Sequence, residues 1–141
     1  MKGMLYMIKL IVGKKGSGKT KILIDMVNAA AKTTDGNIVC IEKKPKLTYD
    51  LDHNVRLLEA DSYGVSGFDA FYGYVAGLLS GNYDITEVFV DGILKICGQD
   101  LEALGVFFDK IEAVAKEANT KLVFTVSADA SELPESVKKY M

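Results

Sequence analysis

Residues 13–20 of this chain read Gly-Lys-Lys-Gly-Ser-Gly-Lys-Thr, a glycine-rich turn set between an apolar run and a helical period. The run at residues 4–12 is β-branched towards its end and stops at Gly13, the pattern of a strand buried on both faces. Residues 19–33 then place Ile22, Leu23, Met26, Val27 and Ala30 at helical spacing, with Asp35-Gly36 reading as a glycine stop. A strand that turns through glycines straight into a helix leaves the first-turn N–H groups, and the positive end of the helix dipole, facing the turn. Such a corner suits an anion.

The alternation continues. Residues 37–42, "NIVCIE", predict a second buried strand, and residues 43–54, with Pro45 and several charges, a loop. Residues 55–60, "VRLLEA", predict a third strand. Ser66 with Asp69 three residues on reads as a capping box that starts a helix carrying Phe68, Phe71, Val75, Leu78 and Leu79 on one face, closed by Gly81-Asn82. Residues 87–92, "EVFVDG", predict a strand. Residues 100–118 predict a long amphipathic helix ended by Asn119, residues 121–127 a last strand, and residues 131–141, with Pro134, a short terminal helix. Strands alternating with helices of these lengths imply βαβ crossovers, hence an α/β, three-layer αβα sandwich with a mainly parallel sheet. In such sheets ligands sit at the carboxyl ends of the strands, which directs attention to residues 13–20, Glu42, Glu59, Asp61, Asp91 and Ser127.

Length and charge bound the rest. At 141 residues the chain predicts a single domain, residues 1–141, able to bury roughly 68% of its unfolded surface without disulfides or a structural metal. A net charge of −2 argues against nucleic acid as a main partner. Cys40 and Cys97 sit among apolar residues with no CxxC spacing, and His53 is the only histidine, so neither a zinc site nor a redox pair is expected. The apolar amino-terminal run is interrupted by Lys9 and is about half the length of a membrane span; the expectation is a cytoplasmic protein.

Gly13, Lys14, Lys15, Gly16, Ser17, Gly18, Lys19 and Thr20 match G-x-x-x-x-G-K-[ST] between a predicted strand and a predicted helix. The chain thus resembles the P-loop NTPases. That resemblance implies ATP or GTP bound with Mg²⁺, the loop amides around the phosphates, Lys19 on the β- and γ-phosphates and the Thr20 hydroxyl on the metal. It also implies a Walker B acid at the end of an apolar strand, and Asp91, 71 positions after Thr20, is the matching residue. The Asn-Lys-x-Asp motif of GTPases is absent, which favours ATP.

Gly92 follows Asp91 where AAA-type and helicase-type ATPases carry Glu. RecA-like proteins instead often place the water-activating Glu at the end of the strand after the P-loop helix, and Glu42 ends that strand, 22 residues after Thr20. The resemblance to a RecA-like core covers about residues 8–127 and, beyond the two Walker motifs, rests on element order and spacing. It assigns Glu42 and Lys19 the catalytic roles and makes Ser127 the sensor of the γ-phosphate. A salt-bridged strand end is the plain alternative for Glu42. Glu59, Asp61, Asp50 and Asp52 read chiefly as solvated carboxylates that are substitute candidates for the base. Lys14, Lys15, Lys43, Lys44 and Lys46 concentrate charge at the same edge, either steering nucleotide or standing in for arginine. His53 reads as a surface residue, and Phe68, Phe71, Tyr72 and Tyr74 as core packing, with Tyr72 and Tyr74 the exposed candidates.

Sixteen lysines stand against one arginine, Arg56, placed within a predicted strand. Oligomeric RecA-like motors complete their sites with Arg or Lys from a neighbour, and kinases close an Arg-rich lid; neither is evident here. On its Walker motifs the sequence points first to a Mg-dependent ATPase acting with a protein partner or as a homo-oligomer, while the scarcity of arginine argues against a self-sufficient motor. A nucleotide-binding switch or adaptor that hydrolyses slowly or not at all comes second, and a small-molecule or nucleotide kinase third.

Overall fold

The apolar runs become strands and the helical periods become helices. The computed structural model describes residues 5–141. In chain order these form β1 (Ile8–Gly13), α1 (Lys19–Thr33), β2 (Asn37–Glu42), β3 (Arg56–Glu59), α2 (Phe68–Ser80), β4 (Ile85–Val90), α3 (Ile93–Cys97), α4 (Leu101–Ala118), β5 (Lys121–Ser127) and α5 (Glu135–Lys138). Met4, where the apolar run begins, lies outside the described residues, and β1 starts only at Ile8.

The strands pair in the order β1-β5-β4-β2-β3, every pairing parallel. Because side chains alternate along a strand, the sheet divides its apolar residues between two faces. Ile38, Cys40, Phe89 and Val123 pack with Leu23 and Val27 of α1 and with Leu47 and Val55 of the loop after β2. Val39, Ile41, Val88, Val90, Leu122, Phe124 and Val126 face the other way, against α2 to α5. The chain is therefore a three-layer α/β sandwich, with α1 on one face and α2 to α5 on the other. Phe108 and Phe124 pack at 5.0 Å between ring centroids and are fully buried. Each buried aromatic or large aliphatic side chain contributes about 1.5–3 kcal/mol through area removed from water. Cys40 is buried on the α1 face and Cys97 half-buried on the other, and both are free thiols. Among the described residues, no helix is long and apolar enough to cross a membrane.

Several local expectations are corrected. Gly36 does not close α1: Thr34 occupies the cap position in an extended conformation, its N–H donating to the Ala30 carbonyl. Gly36 serves packing instead, since a Cβ there would lie 2.7 Å from the Asp84 carbonyl oxygen and collide with the Thr86 side chain. The Ser66/Asp69 capping box does not form; Gly67, at φ 87°, takes the cap position without a side-chain bond. Its N–H donates to the Ile96 carbonyl at 3.2 Å, tying the start of α2 to α3. The third strand is shorter than residues 55–60, and Ala60 opens a 3₁₀ turn. The fourth runs Ile85–Val90, so Asp91 stands just past its end. The helix α3 is not anticipated by periodicity because five residues span too few turns to display one. By contrast α4 begins and ends where its residues require: the Asp100 carboxylate accepts from the N–H groups of Glu102 and Ala103, and Asn119 ends it at φ 54°.

Candidate functional site

Three strand ends converge on one cavity. β1 ends at Gly13, which lies opposite Ser127 at the end of β5, and Asp91 stands just after the end of β4. The cavity they enclose measures about 580 Å³. From the glycine loop, Lys15, Gly16, Gly18, Lys19 and Thr20 line it. Asp91, Gly92, Lys95, Thr125 and Ser127 line it from the other side.

The loop's shape comes from its glycines. Gly16 and Gly18 take φ values of 85° and 89°, left-handed conformations that residues with a Cβ rarely adopt. Gly13 is needed for space, since a Cβ would meet the Ser17 side chain. The Ser17 N–H donates to the Lys14 carbonyl at 3.1 Å, closing a turn. Lys19 is 7% exposed, and its ammonium donates to the Lys14 carbonyl at 2.9 Å and to the Ser17 hydroxyl at 3.4 Å. It is thus folded back across the loop, held by neutral acceptors and by no carboxylate. The first turn of α1 carries no acidic residue and no side-chain cap, so its N–H groups open on the cavity. Lys14 turns away, its ammonium 3.3 Å from the Asp129 carboxylate.

Asp91 is held from three directions. Its N–H donates to the Ile41 carbonyl at 2.9 Å. The Thr125 hydroxyl donates to its Oδ1 at 2.9 Å while accepting from the Gly92 N–H at 2.7 Å. The Thr20 hydroxyl reaches its two carboxylate oxygens at 3.3 and 3.4 Å. Residues 71 apart in sequence thereby form a hydroxyl–carboxylate pair at the floor of the cavity. This all-oxygen pair suits a hard divalent cation that keeps waters and takes its remaining ligands from a substrate anion. No group of three or more His, Cys, Asp or Glu side chains exists among the described residues to hold a metal alone.

Glu42 does not line this cavity. It lies beside a smaller one of about 170 Å³ that shares Asp91 and Lys95 with the first. It is 2% exposed, and its oxygens accept from the backbone N–H groups of Lys46 at 3.0 Å and Leu47 at 3.4 Å. Burial pushes its carboxyl above the ordinary range, opposed by those two N–H groups and reinforced by Glu59 and Asp91.

The remaining candidates lie elsewhere. Asp61 accepts from Lys43 at 2.9 Å, with Lys44 at 4.0 Å, and Glu59 accepts from the Ser62 hydroxyl. Asp50 and Asp52 anchor their loop to Asn28 through backbone groups, and the His53 side chain is exposed beside Asp52. Tyr72 and Tyr74 are half-buried, Tyr72 beneath the Lys110 ammonium at 4.4 Å from the ring centroid and Tyr74 stacked on Tyr63. Arg56 is exposed on the edge strand β3.

Thr125, Lys95 and Gln99 line the cavity and escaped the sequence reading. Thr125 is a buried hydroxyl inside the otherwise apolar strand "KLVFTV", which is the signal that could have found it. Lys95 and Gln99 come from and just after α3, where no pattern was assigned; Gln99 donates to the Leu94 carbonyl at 3.3 Å. No known protein family matches the chain, and no curated protein matches it.

Proposed function

We propose that the chain is a P-loop protein of RecA-like build that binds ATP with Mg²⁺ in the 580 Å³ cavity and hydrolyses it. The observation that carries this reading is the Thr20–Asp91 pair. A hydroxyl from the first turn of a helix and a carboxylate from a strand end, 71 residues apart, meet beside a loop whose amides and Lys19 offer donors to phosphate. On this reading the loop amides, including those of Lys15 and Gly16, hold the phosphates, and Lys19 leaves its neutral acceptors for the terminal ones. Mg²⁺ held by Thr20 and Asp91 would supply charge neutralisation on the phosphate oxygens. Thr125 keeps the Asp91 carboxylate oriented, and Ser127 stands at the same wall.

A second reading has an observation of its own. Glu42 has both oxygens engaged by the loop after β2, and among the described residues Asp91 is the only carboxylate on the cavity wall. That arrangement favours a nucleotide-binding switch or adaptor that turns ATP over slowly or not at all, its state read by a protein partner or a second copy.

Equilibrium binding of Mg-ATP and steady-state phosphate release separate the two. Wild type is expected to bind ATP in a Mg-dependent manner, and Lys19→Ala to lose at least tenfold in affinity. Phosphate release above the Lys19→Ala background supports hydrolysis; binding without release supports the switch. A wild-type protein that binds no nucleotide sinks both. Equal turnover in wild type and Glu42→Gln removes Glu42 as the base.

A further inference from the structure

We propose that Lys95 and Lys46 form a cation pair at the mouth between the two cavities that receives the terminal phosphate of the nucleotide and selects triphosphate over diphosphate. The inference rests on the ATP-binding reading and adds to it the residues that sense the third phosphate.

Lys95 lines both cavities, as does Asp91, whereas Lys46 lines the smaller one. Its position is built into the backbone. Gly92 takes φ 79°, and the Lys95 stem lies over it so closely that a Cβ on Gly92 would sit 3.3 Å from the Lys95 Cδ. The Lys95 N–H donates to the Gly92 carbonyl at 2.9 Å, which starts α3 at that point. Lys46 arrives from the opposite side on the loop that Glu42 holds, its own N–H being the donor to the Glu42 carboxylate.

Lys46 and Lys95 both border the smaller cavity of about 170 Å³. The Lys46 ammonium, partial burial and Lys15 together hold the Lys95 amine below the ordinary lysine range, against the pull of Asp91. Neither Lys46 nor Lys95 makes an ion pair among the described residues, although Lys43 and Lys44 on the same loop both find Asp61. Two neighbouring cations that lack an ion-pair partner repel each other, and a polyanion placed there relieves the repulsion and bonds to both. The glycine loop and the α1 terminus account for the phosphates next to Lys19. Because Lys95 and Asp91 border both cavities, the lysine pair adjoins the cavity in which the glycine loop would hold the phosphates.

The test compares binding of ADP with binding of a non-hydrolysable imido analogue of ATP, both with Mg²⁺, to wild type, Lys95→Ala, Lys46→Ala and Lys95→Arg. Wild type is expected to prefer the triphosphate. Loss of a charge-assisted contact should weaken the analogue by about tenfold or more in each alanine variant while ADP affinity stays within about twofold. Lys95→Arg, which keeps the charge, should retain most of the preference. If analogue and ADP weaken by the same factor, or neither changes, the pair does not read the terminal phosphate and the proposal is overturned. If wild type binds neither nucleotide, the ATP-binding reading has failed first.

Discussion

Replacing Thr125 by valine isolates one hydroxyl in the centre of the site. The residue is 2% exposed, and valine nearly matches its shape, so no cavity opens and the change is confined to hydrogen bonds. Two are lost. The bond donated to Asp91 Oδ1 at 2.9 Å has a charged acceptor, a class that contributes about 1.5–3 kcal/mol. The bond accepted from the Gly92 N–H at 2.7 Å is neutral, but its loss leaves a buried donor unpaired, at about 1–3 kcal/mol. Asp91 keeps the Thr20 hydroxyl and can turn towards solvent in the cavity, which recovers part of the first loss. The expected net destabilisation is therefore about 2–3 kcal/mol, or roughly 6–12 °C in melting temperature for a chain of this size. Urea unfolding measures it, and Thr125→Ser, which keeps the hydroxyl, should lose no more than about 1 kcal/mol. If ATP is bound as proposed, Thr125→Val should also raise the Mg²⁺ concentration needed for binding, because the carboxylate is no longer aimed. A loss under about 0.5 kcal/mol with unchanged Mg²⁺ dependence would refute the view that Thr125 orients Asp91.

Two further outcomes concern buried carboxylates. Glu112 on α4 is 6% exposed and accepts from the N–H groups of Met7 and Ile8 at 2.9–3.1 Å, fixing the start of β1; Glu112→Ala orphans both donors and should cost about 2–4 kcal/mol in urea unfolding, with lost exchange protection at those two amides, whereas wild-type protection would contradict the role. Glu42 has its carboxyl raised in the folded protein, so the folded state holds that proton more tightly than the unfolded chain. The stability this contributes is complete below the unfolded value and is lost as pH rises through the raised one. Stability measured from about pH 4 upward should fall more in wild type than in Glu42→Gln over that window, and parallel curves for the two proteins would show that Glu42 is not so perturbed.

Much of the fold was legible because long elements carry long signals. The period of α1 and the apolar runs of β2 and β5 mark those elements at their observed bounds. What escaped was short or decided by tertiary contact. α3 has too few turns for a period to show. Gly36 looks like a helix stop in one dimension, yet its place is set by the Thr86 side chain and the Asp84 carbonyl across the sheet. Ser66 and Asp69 have the spacing of a capping box, but Gly67 reaches the Ile96 carbonyl through a backbone conformation open to glycine, and the helix starts there instead.

The site divides along the same line. Thr20 and Asp91 are named by local context, each at the junction between a strand and the next element of the chain, so a one-dimensional reading can reach them. Glu42 is named by the same kind of context, but the chemistry of a carboxylate depends on what its oxygens touch, and those partners, the N–H groups of Lys46 and Leu47, come from the fold of a loop without periodicity. A buried glutamate holding a loop by two backbone donors and a glutamate aimed at water look identical in sequence. The excess of lysine over arginine changes meaning in the same way. As composition it argues only against a borrowed arginine. In three dimensions Lys15, Lys19, Lys46 and Lys95 line the paired cavities without a carboxylate partner among the described residues, with Asp91 the one acid on the wall of the larger and Asp91 and Glu42 the acids beside the smaller. That surplus of positive charge is supplied from within one chain, and two of its members lie where only a folded loop and a five-residue helix bring them together. The scarcity of arginine therefore does not leave the site short of cations.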